Sequence, residues 1–256
     1  MKLAKKAVKS LLQKAGYQIQ PLEYHKPIAD KQINQPKDPL EFDFSQRALS
    51  IYQKHWEQTV QTVEELKKKY EKPVLGEIQI WQAIELLGRC IDPTDTTLYC
   101  LSQLTHSLQV VEGMEQDGIT DPELLIAALV HDLGKILLLT DEAPENVVCV
   151  NTPIGNNQEG IGLDNCVFQW NHDEYIYARL KDYLPDHIAW LLRYHSIRIA
   201  QSEPFMDNRD KDYTERYLIP FRKYDIGTKS VYNLPQKNLG DYHQLLEQFF
   251  PKAIVF

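Results

Sequence analysis

One continuous apolar run that contains three ionisable residues constrains the fold of this chain more than any other feature. Residues 124–139 read LLIAALVHDLGKILLL, so His131, Asp132 and Lys135 stand among leucine, isoleucine, alanine and valine. A segment this apolar is expected to be buried, and an unpaired charge in a protein interior is very costly. The rest of the chain must therefore supply partners for an imidazole, a carboxylate and an ammonium group.

The composition is that of an ordinary globular protein. The 256 residues are 43% apolar and 25% charged, and a net charge of −8 argues against broad electrostatic binding to nucleic acid or anionic lipid. The cysteines form no C-x-x-C pair and indicate no disulfide framework, which fits a reducing compartment. We therefore expect a cytoplasmic protein that acts as a monomer. The cysteines are Cys90, Cys100, Cys149 and Cys166.

The first 43 residues predict an arm rather than part of a core. MKLAKKAVKSLLQKAG is basic and mildly amphipathic, which indicates a solvated helix or a flexible arm, with a helix on a membrane surface as the alternative. Residues 20–43 carry four prolines and little periodicity. No stretch approaches the ~20 apolar residues of a membrane span, so no membrane partner is expected.

From Phe44 onward the spacing of the apolar residues is helical. No alternation of strands and helices is present, and no internal repeat, so the sequence predicts one all-α domain over residues 44–256. Besides the helix that leads into His131, the segments with helical spacing are 45–70, 77–90, 98–118, 163–184, 185–197, 217–230 and 239–250.

The helix that leads into His131 has a well-marked start. Thr120 and Glu123 are spaced as a capping box, and Pro122 lies in the first turn, where its missing N–H costs nothing. Gly118 is predicted to end the helix before it. After the apolar run, residues 141–162 are rich in Asn, Pro and Gly and predict a loop.

Four of the eight histidines are predicted to point into the core. Each lies three or four residues from apolar neighbours, and on a helix these offsets put the imidazole on the apolar face. A lone core histidine is usually hydrogen-bonded to a neighbour, but four of them from four helices favour a shared polar centre. The four are His106, His131, His172 and His195, whereas His25, His55, His187 and His243 stand in polar surroundings and are predicted to be surface residues.

Such a centre favours a first-row metal such as iron, manganese or zinc, because neutral imidazole and carboxylate are its typical ligands. No cysteine is near, which argues against a thiolate zinc site or an iron–sulfur cluster. Asp132 can bridge two ions because each of its oxygens can serve one. Asp173, Glu174 and Asp225 are candidates for a second carboxylate, although Asp225 with Lys229 at i+4 can equally form a surface salt bridge.

Longer motifs resemble one family. The order of histidines and aspartates resembles the HD-domain metalloproteins, and within them the chain resembles the myo-inositol oxygenases over roughly residues 40–256. A bare H…HD…D pattern is shared with many phosphohydrolases, whereas WNHDEY followed by RYHS and DIGTK is much more specific. The motifs are HSLQVVEG (106–113), LVHDLGK (129–135), GLDNCVFQWNHDEY (162–175), RYHS (193–196), FRKYDIGTK (221–229) and FFPKAIVF (249–256).

The resemblance implies an HD-type helical bundle with two irons in a mixed-valent Fe(II)/Fe(III) state. It also implies that a substrate diol chelates one iron, that O2 binds the other, and that myo-inositol is cleaved to D-glucuronate in a four-electron oxidation, a step of inositol catabolism. The implied ligands are His106, His131 and Asp225 for one iron and His172 and His195 for the other, with Asp132 as the bridge.

The resemblance also assigns residues to catalysis and substrate binding. Lys135 matches a lysine that contacts the reacting hydroxyl, where its charge would favour the alkoxide, so it joins Asp132 as an implied catalytic residue. Ser196 and Lys229 match residues that hydrogen-bond the polyol, and Tyr52 matches a tyrosine that closes over the site. Each has a plainer alternative: a helix cap for Lys135, a bond within its own helix for Ser196, and a core position for Tyr52.

The departures from the family's pattern concern the substrate. Animal enzymes carry D-E-S-D-P, whose leading acid supports the catalytic lysine, and this chain reads GRCIDPTD with Arg89 near that place. The family's G-D-T-F-P-V-G becomes VNTPIG, so Asn151 replaces an aspartate that binds substrate hydroxyls, and the loop 156–161 is short. The expected substrate is therefore myo-inositol or another cyclitol, polyol or 1-hydroxyphosphonate.

Two other classes of function compete with a polyol oxygenase. An HD-type phosphohydrolase would use a metal-bound hydroxide, but it would not need the histidines of both NHDEY and RYHS together with Lys135. A non-catalytic, metal-stabilised binding protein would keep the ligands, but it would have no use for Lys135, Ser196 and Lys229 facing the metals.

Overall fold

Helices account for most of the described residues, which confirms the predicted all-α class. The computed structural model describes residues 39–98 and 101–256, with side chains from residue 46 onward. The described α-helices are α1 (Pro39–Trp56), α2 (Val60–Lys69), α3 (Ile80–Leu86), α4 (Gln103–Gln116), α5 (Pro122–Val130), α6 (His172–Leu180), α7 (Asp186–Tyr194), α8 (Ile199–Ser202), α9 (Asn208–Tyr213), α10 (Ile219–Gly227) and α11 (His243–Phe249).

Residues Phe44–Phe256 form one compact unit, which is described below. Residues 1–38 of the predicted N-terminal arm, which include His25, and Cys100 lie outside the described residues, so that part of the arm remains a prediction. The last residues of the predicted arm, 39–43, are helical and belong to α1. No helix within residues 39–98 and 101–256 is both long and apolar enough to cross a membrane.

The sequence predicts one helix over residues 45–70, and this is wrong because the helix is interrupted between α1 and α2. Gln58 leaves the helical path and uses its side-chain amide to bind both backbone groups of Trp170, donating to the carbonyl at 3.1 Å and accepting from the N–H at 2.7 Å. Thr59 then caps α2 by accepting a hydrogen bond from the N–H of Thr62 at 3.2 Å. A long-range contact therefore overrides the local helical pattern.

The capping box predicted at Thr120 and Glu123 is also wrong by one residue. Asp121 is the N-cap of α5, and its carboxylate accepts from the N–H of Glu123 at 2.9 Å. Pro122 does occupy the first turn, and Gly118 follows the end of α4 with a φ of 81°, which only glycine adopts readily.

Two small antiparallel sheets, which the all-helical prediction did not include, join segments that lie outside the helices. The strand β1 (Glu77–Ile78) pairs with β4 (Ile254–Val255), and β2 (Pro153–Ile154) pairs with β3 (Val167–Phe168). The first pairing buries Phe256 against Tyr175, with ring centroids 5.4 Å apart. The second occupies part of the predicted helix 163–184, so α6 begins only at His172, where Asn171 caps it.

The apolar run of the opening motif turns sharply at its ionisable residues. α5 ends at Val130, and a 3₁₀-helix takes over at Leu133–Leu139. Residues 126–130 are buried in the core, as are Leu133 and Leu137. Gly134 lies so close to α6 that a Cβ there would approach the carbonyl oxygen of His172 to 2.2 Å. The turn and this close approach bring the run against the start of α6.

Candidate metal centre

Five separate segments bring the predicted ligands into one buried cluster. His106 lies on α4, His131 and Asp132 at the turn after α5, and His172 at the first position of α6. His195 directly follows α7, and Asp225 lies on α10. The four imidazoles and Asp132 are each at most 2% exposed.

Asp132 divides the cluster into two groups. Its Oδ2 lies 3.6 Å from the Nε2 of His106 and 3.4 Å from that of His131. Its Oδ1 lies 3.1 Å from the Nε2 of His172 and 3.6 Å from that of His195. Each group places three potential ligand atoms within 4.8 Å of one another. One carboxylate therefore offers one oxygen to each of two candidate metal positions.

Asp225 joins the first group. Its Oδ1 lies 3.0 Å from the Nε2 of His106 and 3.7 Å from that of His131. The alternative of a surface salt bridge with Lys229 is wrong, because the Nζ of Lys229 instead donates to Asp95 at 2.8 Å. Burial alone would raise the pKa of Asp225, but the two imidazoles outweigh it and hold that pKa well below its usual range.

Backbone carbonyls orient three of the four imidazoles. The Nδ1 atoms of His131, His172 and His195 lie 2.9 Å, 2.6 Å and 2.9 Å from the carbonyl oxygens of residues 128, 147 and 192. A neutral ring that donates through Nδ1 presents an unprotonated Nε2, which is the arrangement typical of metal-bound histidine. The Nε2 atoms meet in pairs, at 3.3 Å for His131 and His106 and 3.4 Å for His172 and His195. Converging lone pairs need a cation or a shared proton between them, so the donor set fits a metal.

The charges of the cluster are strongly coupled. Burial lowers the pKa of His106 to about 4, so this ring is neutral near pH 7. Burial would also lower the pKa of His131, but Asp132 and Asp225 outweigh it and raise that pKa to about 10. Without a metal, His131 therefore holds a proton that a metal would have to displace.

Lys135 lies beside the bridging carboxylate. Its Nζ is 3.0 Å from the Oε1 of Gln103, 3.1 Å from the Oδ2 of Asp132 and 3.0 Å from the Oδ2 of Asp92. Burial would lower the pKa of Lys135, but the two carboxylates outweigh it and raise that pKa, so the side chain remains an ammonium. It is not simply a helix cap.

The acid beside Lys135 is Asp92, so the position of Arg89 does not leave Lys135 without an acidic partner. The sequence places Arg89 where a lysine-supporting acid is expected, yet the Arg89 side chain is exposed. Asp92, three residues later, is 4% exposed and pairs with Lys135. A turn closed by the Asp92 carboxylate, which accepts from the N–H of Thr94 at 2.8 Å, fixes its position.

A cavity of about 440 Å³ opens onto the cluster. Asp132, His172, His195 and Asp225 line its floor. The predicted substrate residues Tyr52, Lys135, Ser196 and Lys229 all line it as well, together with Asp92, Asp95 and Arg222.

Asn151 is the exception among the predicted substrate residues. It is buried and does not line the cavity; its Nδ2 donates to the Oδ1 of Asn171 at 3.0 Å. Asn171 in turn donates to the Oγ of Ser196 at 3.0 Å, and Ser196 donates to the Oδ2 of Asp173 at 2.6 Å. Asn151 therefore supports Ser196 from behind the cavity wall, and Ser196 does not bond back to its own helix.

The remaining carboxylate candidates lie on the side of His172. Asp173 is buried, and its Oδ1 lies 3.0 Å from the Nε2 of His172. Glu174 turns away from the cluster and accepts from the Nε of Arg193 at 2.7 Å. Glu174 is therefore not a candidate ligand.

The prediction that four histidines are surface residues is wrong for His55. This ring is 0% exposed, and its Nδ1 lies 2.7 Å from the carbonyl oxygen of Glu145, because α1 packs beneath the turn Pro144–Asn146. His187 is partly exposed and stacks on Tyr217 with ring centroids 4.7 Å apart, and His243 is exposed.

Arg222 is a cavity residue that sequence reasoning missed. Its Nε donates to the carbonyl of His195 at 2.8 Å, and its Nη2 donates to the carbonyl of Ile197. The available signal was its place in FRKYDIGTK, three residues and so about one helical turn before Asp225.

Comparison with known proteins shows which family this chain is similar to. A sequence model of the myo-inositol oxygenase family matches residues 45–149 and 141–256. Inositol oxygenase 1 of Arabidopsis thaliana is 31% identical over 240 residues, covering 78% of this chain and 76% of that protein. A probable inositol oxygenase of Oryza sativa subsp. japonica is 30% identical, covering 78% and 77%. The inositol oxygenase of Danio rerio is 24% identical over 267 residues, covering 85% and 94%.

Proposed function

Because the chain belongs to the myo-inositol oxygenase family, a family of oxidoreductases, we propose that it uses two irons and O2 to cleave a C–C bond of a cyclic polyol, foremost myo-inositol to D-glucuronate. The observation that carries the proposal is the division of the cluster by Asp132 into two groups, with Lys135 bonded to the same carboxylate and facing the cavity.

The proposed ligands of the two irons come from five segments of the chain. The mixed-valent iron pair would supply Lewis acidity toward the substrate hydroxyls and the electrons for O2 chemistry. One iron would be held by His106, His131 and Asp225 and the other by His172 and His195, with Asp132 shared.

Lys135 acts as a hydrogen-bond donor rather than as a base in this proposal. Its raised pKa keeps it protonated, so it can stabilise negative charge on a substrate oxygen but cannot accept a proton. Asp92 and Gln103 hold two sides of the ammonium, which leaves its position fixed before substrate arrives. Such preorganised charge is effective because it does not have to reorient during the reaction.

The cavity walls supply the proposed polyol contacts. The hydroxyl of Ser196 and the ammonium of Lys229 are held by Asp173 and Asp95, so both are oriented in advance. Tyr52 covers the cavity from α1. Asn151 has no proposed contact with substrate, because it lies behind Ser196.

The experiment that tests the proposal is anaerobic loading with iron, followed by addition of myo-inositol and O2. We expect two irons per chain, O2 uptake, and D-glucuronate as product. Two irons per chain without O2 uptake on any cyclitol would refute the function but not the metal site, and phosphatase activity with fewer than two metals would indicate a phosphohydrolase.

A pair of histidine variants tests the ligand set. His131→Ala should empty at least one metal position, because it removes a ligand of the first group. His243→Ala removes an exposed imidazole that belongs to neither group of candidate ligands, and this variant should bind as much iron as the wild type. Equal iron content in the two variants would show that the ligand set is wrong.

The compartment and the oligomeric state are part of the same proposal. Cys90, Cys149 and Cys166 are buried and unpaired, as expected for a protein of the reducing cytoplasm. We propose a cytoplasmic monomer, and light scattering after gel filtration would reveal any larger species.

A further inference from the structure

One cation of the cavity is not neutralised by a carboxylate. Three cationic side chains line the cavity. Lys135 is paired with Asp92 at 3.0 Å and Lys229 with Asp95 at 2.8 Å. Within the part of the chain that the structure describes, Arg222 has no such ion pair, and its contacts are to the carbonyls of residues 195 and 197.

The two carbonyl contacts fix the orientation of the Arg222 guanidinium. They occupy the Nε and one hydrogen of Nη2, which is one edge of the planar group. The Nη1 and the second hydrogen of Nη2 form the other edge, which makes no hydrogen bond within the described residues, and Arg222 lines the cavity. An edge with two parallel N–H groups matches a carboxylate or a phosphate, which it can bind through two hydrogen bonds.

The charge balance of the site points the same way. Asp225 and Asp173 act on Arg222 through longer-range electrostatics, but Asp225 is a proposed metal ligand and Asp173 already accepts the hydrogen bond of the Ser196 hydroxyl. A neutral polyol would leave this half-buried guanidinium without a direct ion pair, whereas an anionic group would supply one.

We propose that the cavity also accepts polyols bearing an oxyanion, either a carboxylate or a phosphate group, and that Arg222 binds this oxyanion beside Ser196. The proposal rests on the proposed function, since it concerns the substrate of that site. Arg222 is then the residue that separates anionic polyols from myo-inositol itself.

Binding to the iron-loaded protein under anaerobic conditions tests the proposal by calorimetry. The probes are myo-inositol, myo-inositol 1-phosphate and quinate, a cyclic polyol with a carboxylate. We expect at least one anionic probe to bind more tightly than myo-inositol. Preference for quinate alone would identify a carboxylate, and preference for the phosphate ester alone would identify a phosphate.

Variants on one helix show whether Arg222 causes the preference. Arg222→Gln should reduce it by about ten- to a hundredfold, the range for hydrogen bonds to a charged group, and Arg222→Lys should retain part of it. Lys223→Gln removes the same charge from the exposed side of α10 and should leave the preference unchanged. Iron content and melting temperature, measured for each variant, show whether it is folded and loaded.

Two results would overturn the proposal. One is that neither anionic probe binds the wild type more tightly than myo-inositol, which needs no variant at all. The other is a preference that persists in a folded, loaded Arg222→Gln protein. Because binding is measured without O2, either result leaves the proposed oxygenase activity standing, and loss of that activity leaves the binding result standing.

Discussion

Replacing Gly134 by alanine should damage one half of the candidate metal centre without replacing any of its proposed ligands. The added Cβ would lie 2.2 Å from the carbonyl oxygen of His172 and 2.9 Å from its Cβ. The φ of Gly134 is not positive, so alanine meets no backbone strain there. The whole effect must come from the contact between the 3₁₀-helix Leu133–Leu139 and the first residue of α6.

The geometry sets the size of the effect. A carbon and a carbonyl oxygen approach to about 3.3 Å at the closest ordinary contact, so α6 or the 3₁₀-helix must move by about 1 Å. Metal–ligand distances hold to about ±0.2 Å, so a shift of 1 Å at His172 is far outside that tolerance. We expect a loss of metal affinity of about tenfold to hundredfold, the range seen when a residue that hydrogen-bonds a metal ligand is removed. Overpacking of the core should also lower the free energy of unfolding by about 1–3 kcal/mol.

The assay is metal titration together with thermal denaturation of the metal-free protein. Gly134→Ala should bind the metal of the group containing His172 weakly and that of His106 and His131 nearly normally, and it should melt about 2–4 °C lower per kcal/mol lost. Gly88→Ala is the matched control, because its Cβ would meet only the Cδ2 of Leu104, at 3.6 Å. If Gly134→Ala binds both metals like the wild type and melts at the same temperature, the reasoning from this contact is refuted.

Three further predictions follow from single contacts. Gly113→Ala should lower the free energy of unfolding by about 1–3 kcal/mol, because its Cβ would lie 2.5 Å from the methyl of Thr228; adding Thr228→Ser, which removes that methyl and keeps the hydroxyl, should restore most of it in urea denaturation. Burial lowers the pKa of His55 below 6.5. The neutral ring therefore stabilises the fold above the pKa that His55 has in the unfolded chain, and this contribution is lost as the pH falls. The metal-free His55→Gln protein should lose less stability than the metal-free wild type between pH 7 and pH 5, and an unchanged acid slope would contradict this. Asp92→Asn should keep both irons but lower kcat about 10²-fold, the cost of a misplaced catalytic group, because Lys135 loses its support; iron content and kcat, measured together, check it.

The buried cluster could be predicted from the sequence because each of its members is a polar residue with apolar neighbours. A histidine or aspartate within an apolar run is expensive to bury, so its presence alone indicates a partner. This reasoning located His106, His131, Asp132 and His195 in the core correctly. It also located His172, although that residue starts a helix rather than lying inside one, since the strand β3 takes the place of the preceding turn.

Where burial or a helix break depended on a contact far away in the chain, the prediction failed. His55 stands among lysine, tryptophan and glutamate, and nothing near it in sequence indicates burial. Its burial comes from the turn Pro144–Asn146, about 90 residues away in the chain. Gln58 breaks the first long helix for the same kind of reason, because Trp170 supplies a partner that no helical pattern can reveal.

The residues proposed to contact the substrate were the hardest to identify from the sequence, because their role depends on which side chains neutralise them. Asp92 and Asp95 are ordinary acids in a turn until Lys135 and Lys229 are found beside them. Arg222 is an ordinary helical arginine until the structure shows that no carboxylate of the described residues forms an ion pair with it. The function of such a residue is decided by the absence of a counter-ion within the described fold, and a charge balance of that kind requires coordinates. For the same reason the family's activity and the identity of the substrate are separate questions: the metal ligands decide the first, and the unneutralised guanidinium of Arg222 bears on the second.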